Sequence, residues 1–155
     1  MNLKLSSLNE EYAKQLSNWK YNDIYSVYNY PSWDNMIEQK WAITDEKKRA
    51  KQFIAVVDNS NNLCGYGRFL KEDNFILLGL GLKPCLCGKN SGDLLVKLLV
   101  DECNKRYDHK DIILEVRSFN IRAIKCYLKN GFEKIDFYKK NTLLGKEYFW
   151  KMKYK

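Results

Sequence analysis

The stretch that decides the fold is "FILLGLGLKPCLCGKNSGDLLVKLL", residues 75–99. It opens as a strand that is nearly all apolar, which predicts that both of its faces are covered. Gly79 and Gly81 interrupt it. A glycine inside a strand marks a bulge or a close approach to the backbone, so either a local irregularity or a ligand is implied. A turn of small residues follows, and then a helix from Ser91 to about Arg106. Its expected apolar stripe is Leu94, Leu95, Leu98, Leu99 and Cys103. Helix N-termini carry unpaired N–H groups and partial positive charge, so a strand–turn–helix unit of this composition suits a phosphate. Lys89 adds charge, and Asn90 tolerates a left-handed backbone better than most residues.

Working outward, three strands "QFIAVVD", "LCGYGRFLK" and "FILLGLGLK" are separated by the turn signals "DNSNN" and "KEDN" and read as an antiparallel meander. Upstream, "NLKLSS" alternates as a first strand. Ser7 or Asn9 can cap the helix that follows, on which Tyr12, Leu16 and Trp19 recur at helical spacing. Residues 20–45 are irregular and rich in aromatics, with a short helix expected around Asn35 to Ile43. Downstream come a strand "DIILEV", a helix from Asn120 to Asn130, and a closing hairpin "FEKIDFYKK", "NTLLG", "KEYFWKMKY". The pattern predicts one α+β domain over residues 1–155, with a mixed sheet of about six to seven strands and about four helices.

Composition narrows the function classes. The chain has 155 residues and a formal net charge of +8, which favours anionic partners by long-range attraction. No run is long and apolar enough to span a membrane, and the N-terminus lacks the apolar core of a signal peptide, so a cytoplasmic protein is expected. Five cysteines are an odd number without the spacing of a disulfide framework. Cys64, Cys103 and Cys126 fall at apolar positions. Cys85 and Cys87 lack a second cysteine pair to complete a tetrahedral site, so no metal is expected. The glycine-aromatic strand signatures of common RNA modules are absent, so no nucleic-acid partner is expected.

A second stretch, "LEVRSFNIRAIKCYLKNGF" (residues 114–132), carries two polar residues in apolar settings. Glu115 interrupts a strand, and Tyr127 shares a helix face with Asn120, Ala123 and Ile124. By themselves these read equally as a paired strand carboxylate and a core aromatic. Together with residues 79–99, however, they resemble the Gcn5-related N-acetyltransferase (GNAT) family, in the manner of a small bacterial-type member. The resemblance covers essentially the whole order of elements. Its second segment is specific, with Asn, Ala-Ile, Tyr and Gly-Phe at the family's spacing. The first departs from the pattern, since the family usually has Gln or Arg where Cys87 stands and Gly where Asn90 stands.

The resemblance implies a sheet splayed at an acetyl-CoA site, and direct attack of an amine on the thioester without an acyl-enzyme. It implies that the backbone of Leu80, Gly81 and Leu82 holds the pantetheine arm and that a backbone N–H near Leu82 faces the developing oxyanion. Cys87, Gly88, Lys89, Asn90, Ser91 and Gly92 would cradle the pyrophosphate, and Asn120 would bind the cofactor arm. Tyr127 stands as general acid. Glu115 occupies the place of the general base proposed for ribosomal-protein alanine N-acetyltransferases, with water or a backbone carbonyl as alternatives. The acceptor is an unidentified primary amine, approached by the aromatic segment of Tyr21, Tyr25, Tyr28, Tyr30 and Trp33, and the protein is a monomer or homodimer. A non-catalytic acyl-CoA-binding relative is the alternative reading, and a basic nucleic-acid-binding module, which the charge permits, ranks behind it.

Overall fold

In the computed structural model, which describes residues 2–155, seven strands form one mixed sheet. The strands are β1 (Lys4–Ser6), β2 (Phe53–Val57), β3 (Leu63–Lys71), β4 (Phe75–Leu82), β5 (Asp111–Arg117), β6 (Phe132–Thr142) and β7 (Gly145–Tyr154). They lie in the order β1-β2-β3-β4-β5-β7-β6. Five α-helices accompany them among the described residues: α1 (Glu10–Ser17), α2 (Trp33–Glu38), α3 (Glu46–Gln52), α4 (Ser91–Arg106) and α5 (Ile121–Lys129). The fold is α+β, as the alternation of elements predicts. Chain contacts divide it into two compact units, Met1–Arg68 with Leu80–Ser91, and Phe69–Gly79 with Gly92–Lys155.

The first unit is built on β1 and β2, paired antiparallel from Lys4 opposite Val57 to Ser6 opposite Ala55. Asn9 caps α1 by accepting from the Tyr12 N–H at 2.8 Å, which places Ala13 and Leu16 inward. These pack with Trp19, Met36, Ile43, Phe53, Ala55 and Val57 into one buried cluster. The helix expected around Asn35 to Ile43 is instead two pieces, α2 and a 3-10 turn at Ala42–Thr44. The unforeseen α3 is capped by Asp45, whose carboxylate accepts from the Lys48 N–H at 2.8 Å. Its sequence, "EKKRAKQ", has almost no apolar periodicity to announce it. The buried Arg49 donates to the Ile43 carbonyl at 2.9 Å, which holds α3 to the preceding turn.

In the second unit α4 buries Leu95, Val96, Leu99, Val100 and Cys103, while Leu94 is exposed. The stripe is therefore rotated by about one position from the expected one, because Val96 and Val100 complete the buried face. Leu114 and Met152, directly opposite one another on β5 and β7, are fully buried. β4 alternates in burial as far as Leu78 and is half-buried from Gly79 onward, so the expectation of two covered faces is not met. The parallel register of β4 with β5 comprises Phe75–Leu77 opposite Asp111–Ile113. Both strands continue beyond that register, β4 to Leu82 and β5 to Arg117.

Candidate active site

The end of β4 is held by tyrosines of its own unit. A Cβ on Gly81 would collide with the ring of Tyr66, so this glycine is required by an aromatic neighbour. The Tyr66 hydroxyl lies 2.6 Å from that of Tyr30. Burial pushes both phenols above their ordinary value of 10, with the close pairing adding to the effect at Tyr30. Tyr21 donates to the Leu82 carbonyl at 2.6 Å. Of the five aromatics expected to approach the acceptor, Tyr21 and Tyr30 make these hydrogen bonds, Tyr28 sets its ring edge-on to Tyr21 at 6.4 Å, and Trp33 packs against the buried cluster of the first unit.

Beyond Leu82 the chain is anchored where the Lys83 N–H donates to the Cys64 carbonyl at 2.8 Å. A 3-10 turn, Pro84–Leu86, leads to Cys87, whose Sγ lies 3.7 Å from the Lys83 carbonyl oxygen and 3.9 Å from that of Leu82. Gly88 and Asn90 then adopt φ of +79° and +64°. Two left-handed residues separated by Lys89 reverse the chain sharply enough for α4 to begin at Ser91. Asparagine fills the second of these positions because it enters that region at less strain than other side-chain-bearing residues. A Cβ on Gly88 would meet nothing within 4 Å. The backbone there faces open space, which suits a phosphate, and α4, at sixteen residues, presents a full set of N-terminal N–H donors.

The remaining candidates belong to the second unit. Asn120 caps α5 by accepting from the Ala123 N–H at 3.2 Å. Tyr127, two turns along, sets its ring edge-on to Phe132 at 6.0 Å. Glu115 lies mid-strand on β5, with its side chain 24% exposed and its carboxylate 3.5 Å from the Lys140 ammonium on β6. Sequence reasoning missed Lys140, since nothing local connects two residues so far apart; only the pairing of β5 with β7, and of β7 with β6, brings them together. It also missed a clamp between α4 and α5. Asp93 accepts from Lys129 at 2.7 Å and from the Asn130 amide at 2.9 Å, with the Cys126 thiol at 3.5 Å. Lys129 and then Asn130 hold its carboxyl below the ordinary value of 3.8. Burial, reinforced by Asp93, pushes the Cys126 thiol up to about 11, where it is an inert packing group. None of the five cysteines is in a disulfide, and among the described residues no cluster of His, Cys, Asp or Glu has the geometry of a metal site. No helix among them is long and apolar enough to cross a membrane.

The model of the acetyltransferase (GNAT) family matches residues 10–132. The chain belongs to that family. Solved structures of other GNAT N-acetyltransferases share its fold. A spermidine N-acetyltransferase SpeG chimera of Vibrio cholerae and hSSAT superposes with a TM-score of 0.80 at 19% identity, over 98% of this chain and 94% of that one. The ribosomal-protein-S18-alanine N-acetyltransferase of Escherichia coli gives 0.68 at 19% identity, over 99% and 93%. The Vibrio cholerae spermidine/spermine N-acetyltransferase SpeG gives 0.71 at 20% identity, over 97% and 91%. At these identities the likeness is one of fold. No curated protein matches the chain in sequence.

Proposed function

We propose that this GNAT chain is an acetyl-CoA-dependent N-acetyltransferase that moves an acetyl group directly to a primary amine of a small molecule or peptide. The observation that carries the reading is the turn ahead of α4, where Gly88 and Asn90 are both left-handed and the space beside Gly88 is open. Such a turn exposes successive N–H groups to an anion, and Lys89 adds charge. In this reading the pyrophosphate rests on Cys87–Gly92, and the backbone of Leu80–Leu82 holds the pantetheine arm, helped by Asn120.

Acetyl-CoA supplies an activated thioester; the chain's own residues handle position, charge and protons. A backbone N–H at Leu82 donates to the carbonyl oxygen of the acetyl group. Glu115 takes the proton that the amine loses as the new C–N bond forms. Tyr127 gives its hydroxyl proton to the sulfur as the C–S bond breaks, since phenols are protonated at neutral pH. Lys140 fixes the Glu115 carboxylate at the strand surface.

The acceptor panel begins with the amines named for the solved relatives, spermidine and a peptide with N-terminal alanine. A net charge of +8 slows encounter with a polycation, so the peptide is expected to be the better of the two. Calorimetric titration with acetyl-CoA tests the donor, and release of free thiol tests transfer. Absence of acetyl-CoA binding overturns the reading; binding without thiol release from any amine leaves a non-catalytic relative.

A further inference from the structure

The hairpin of β6 and β7 sorts its side chains by charge. Directly opposed residues share a face, and the register places Phe137 opposite Trp150, Lys139 opposite Tyr148, and Asn141 opposite Lys146. A register shift at Ile135 brings Lys134 to the same face, where its ammonium sits 4.3 Å from the Trp150 ring centroid. The other face takes every acid of β5, β6 and β7. Glu115, Glu147, Asp111 and Glu133 there are ion-paired with Lys140, Arg117, Lys153 and Lys155, and Asp136 stands opposite Lys151.

The first face also carries the buried Phe132 and Met152, with Tyr154 packed edge-on to Phe132. Along the rest of it, Lys134–Asn141 and Lys146–Trp150, stand three lysines, three aromatic rings and no carboxylate. Among the described residues, Lys134, Lys139 and Lys146 make no ion pair. Phe137 and Tyr148 lie nearly parallel at 5.5 Å and 9°, yet remain 47% and 46% exposed. Lys139 hangs 5.5 Å from the Tyr148 ring. Aromatic rings this open on a sheet face serve as stacking surfaces, and unpaired cations among them attract an anion with planar groups.

Against the expectation of no nucleic-acid partner, which rested only on the absence of common RNA-module signatures, we propose that this face of the β6–β7 hairpin binds an unpaired segment of RNA, its bases stacking on Phe137, Tyr148 and Trp150 and its phosphates meeting Lys134, Lys139 and Lys146. Charge complementarity selects this occupant. A second copy of the chain would bring an equally cationic face against it, and an acidic peptide would satisfy the lysines while leaving the rings without stacking partners. Duplex RNA shows no open base faces and is read through its backbone and minor groove. The inference is independent of the acetyl-transfer reading, because none of these residues belongs to the proposed donor site.

The test is fluorescence anisotropy of a labelled twelve-nucleotide oligo(U) with the full chain, between 50 and 200 mM salt. Three phosphate contacts on a single strand predict a log–log salt slope of about −2, or roughly a 20-fold loss of affinity across that range. Replacing all three lysines by glutamine should reduce the magnitude of the slope by about 2. Phe137→Ala and Tyr148→Ala should each weaken binding about tenfold, with Tyr148→Phe close to the parent. All are surface changes, and an unchanged melting temperature verifies the fold. The proposal is overturned if duplex RNA binds as well as oligo(U), if poly-glutamate of equal charge displaces the probe as well as unlabelled oligo(U) does, or if the alanine variants bind like the parent. It is equally overturned if sedimentation shows a dimer that Tyr148→Ala dissociates.

Discussion

The hydroxyl of Tyr21 donates to the backbone carbonyl of Leu82 at 2.6 Å, tying the aromatic segment after α1 to the strand proposed to hold the donor. Asn29 holds Tyr21 in turn, accepting from its N–H at 2.7 Å. Tyr21→Phe removes one neutral hydrogen bond and strands a carbonyl, a loss of about 1 kcal/mol. For a chain of this size that lowers the melting temperature by roughly 2–4 °C. Acetyl-CoA affinity should fall by less than about tenfold, since about 1 kcal/mol is less than a factor of ten. A melting temperature equal to the parent's would show that the bond contributes nothing.

The turn before α4 makes a backbone prediction. Gly88→Ala places a Cβ in open space but at φ +79°, so its whole cost is conformational, about 1–2 kcal/mol. Asn90→Gly should be tolerated with acetyl-CoA binding unchanged or improved, whereas Asn90→Ala should lose about 1 kcal/mol relative to it. Chemical denaturation gives the stabilities and calorimetry the affinities. Weaker binding by Asn90→Gly than by Asn90→Ala would mean that backbone geometry is not what the position supplies.

Gly81→Ala differs in kind, because its Cβ runs into the buried Tyr66 ring. Overpacking of this sort costs about 1–3 kcal/mol. Combining it with Tyr66→Phe should not help, since the ring rather than the hydroxyl is in the way. Rescue by Tyr66→Phe, measured by thermal melting, would refute the steric account.

Asp93 and Glu147 give the acid side of the stability profile its shape. Lys129 and Asn130 depress the first carboxyl; Arg117 and then Thr142 depress the second. A folded value below the unfolded one means the contribution is present in full only above the ordinary values of 3.8 and 4.5 and is lost as pH falls through the folded value. Asp93→Asn and Glu147→Gln should each flatten the fall in melting temperature on that acid limb, while leaving its shape above pH 5 unchanged. An acid limb as steep in both variants as in the parent would refute this assignment.

Tyr127→Phe tests the proposed acid. The ring keeps its contact with Phe132, so folding and acetyl-CoA affinity should hold. Turnover with a good acceptor should drop by about 10²–10⁴. Unchanged turnover would remove Tyr127 from the chemistry, and lost acetyl-CoA binding would make it structural.

Local sequence determined a good deal here. The glycine turn, the start of α4 at Ser91, the Asn120 cap and the left-handed Asn90 were legible because each depends on a few neighbouring residues, and the α1 cap was narrowed to Ser7 or Asn9, of which the structure has Asn9. So were the succession of β2, β3 and β4 and an α+β plan of about six to seven strands, since hydrophobic period and turn residues are local signals. The helix α3 was not, because "EKKRAKQ" has no apolar stripe and is held by a cap and one buried arginine. Nor was the reason for Gly81, which lies in a ring fifteen residues earlier in the chain.

What tertiary structure alone decided is which strand residues face one another. The single shift at Ile135 reverses the alternation of β6, so Lys134 joins Phe137 and Trp150 on one face while Lys140 reaches Glu115 on the other. Side chains alternate with a period of two, so one inserted residue moves everything beyond it to the opposite face. That insertion is set by pairing with β7, a relation between distant segments that no local pattern records.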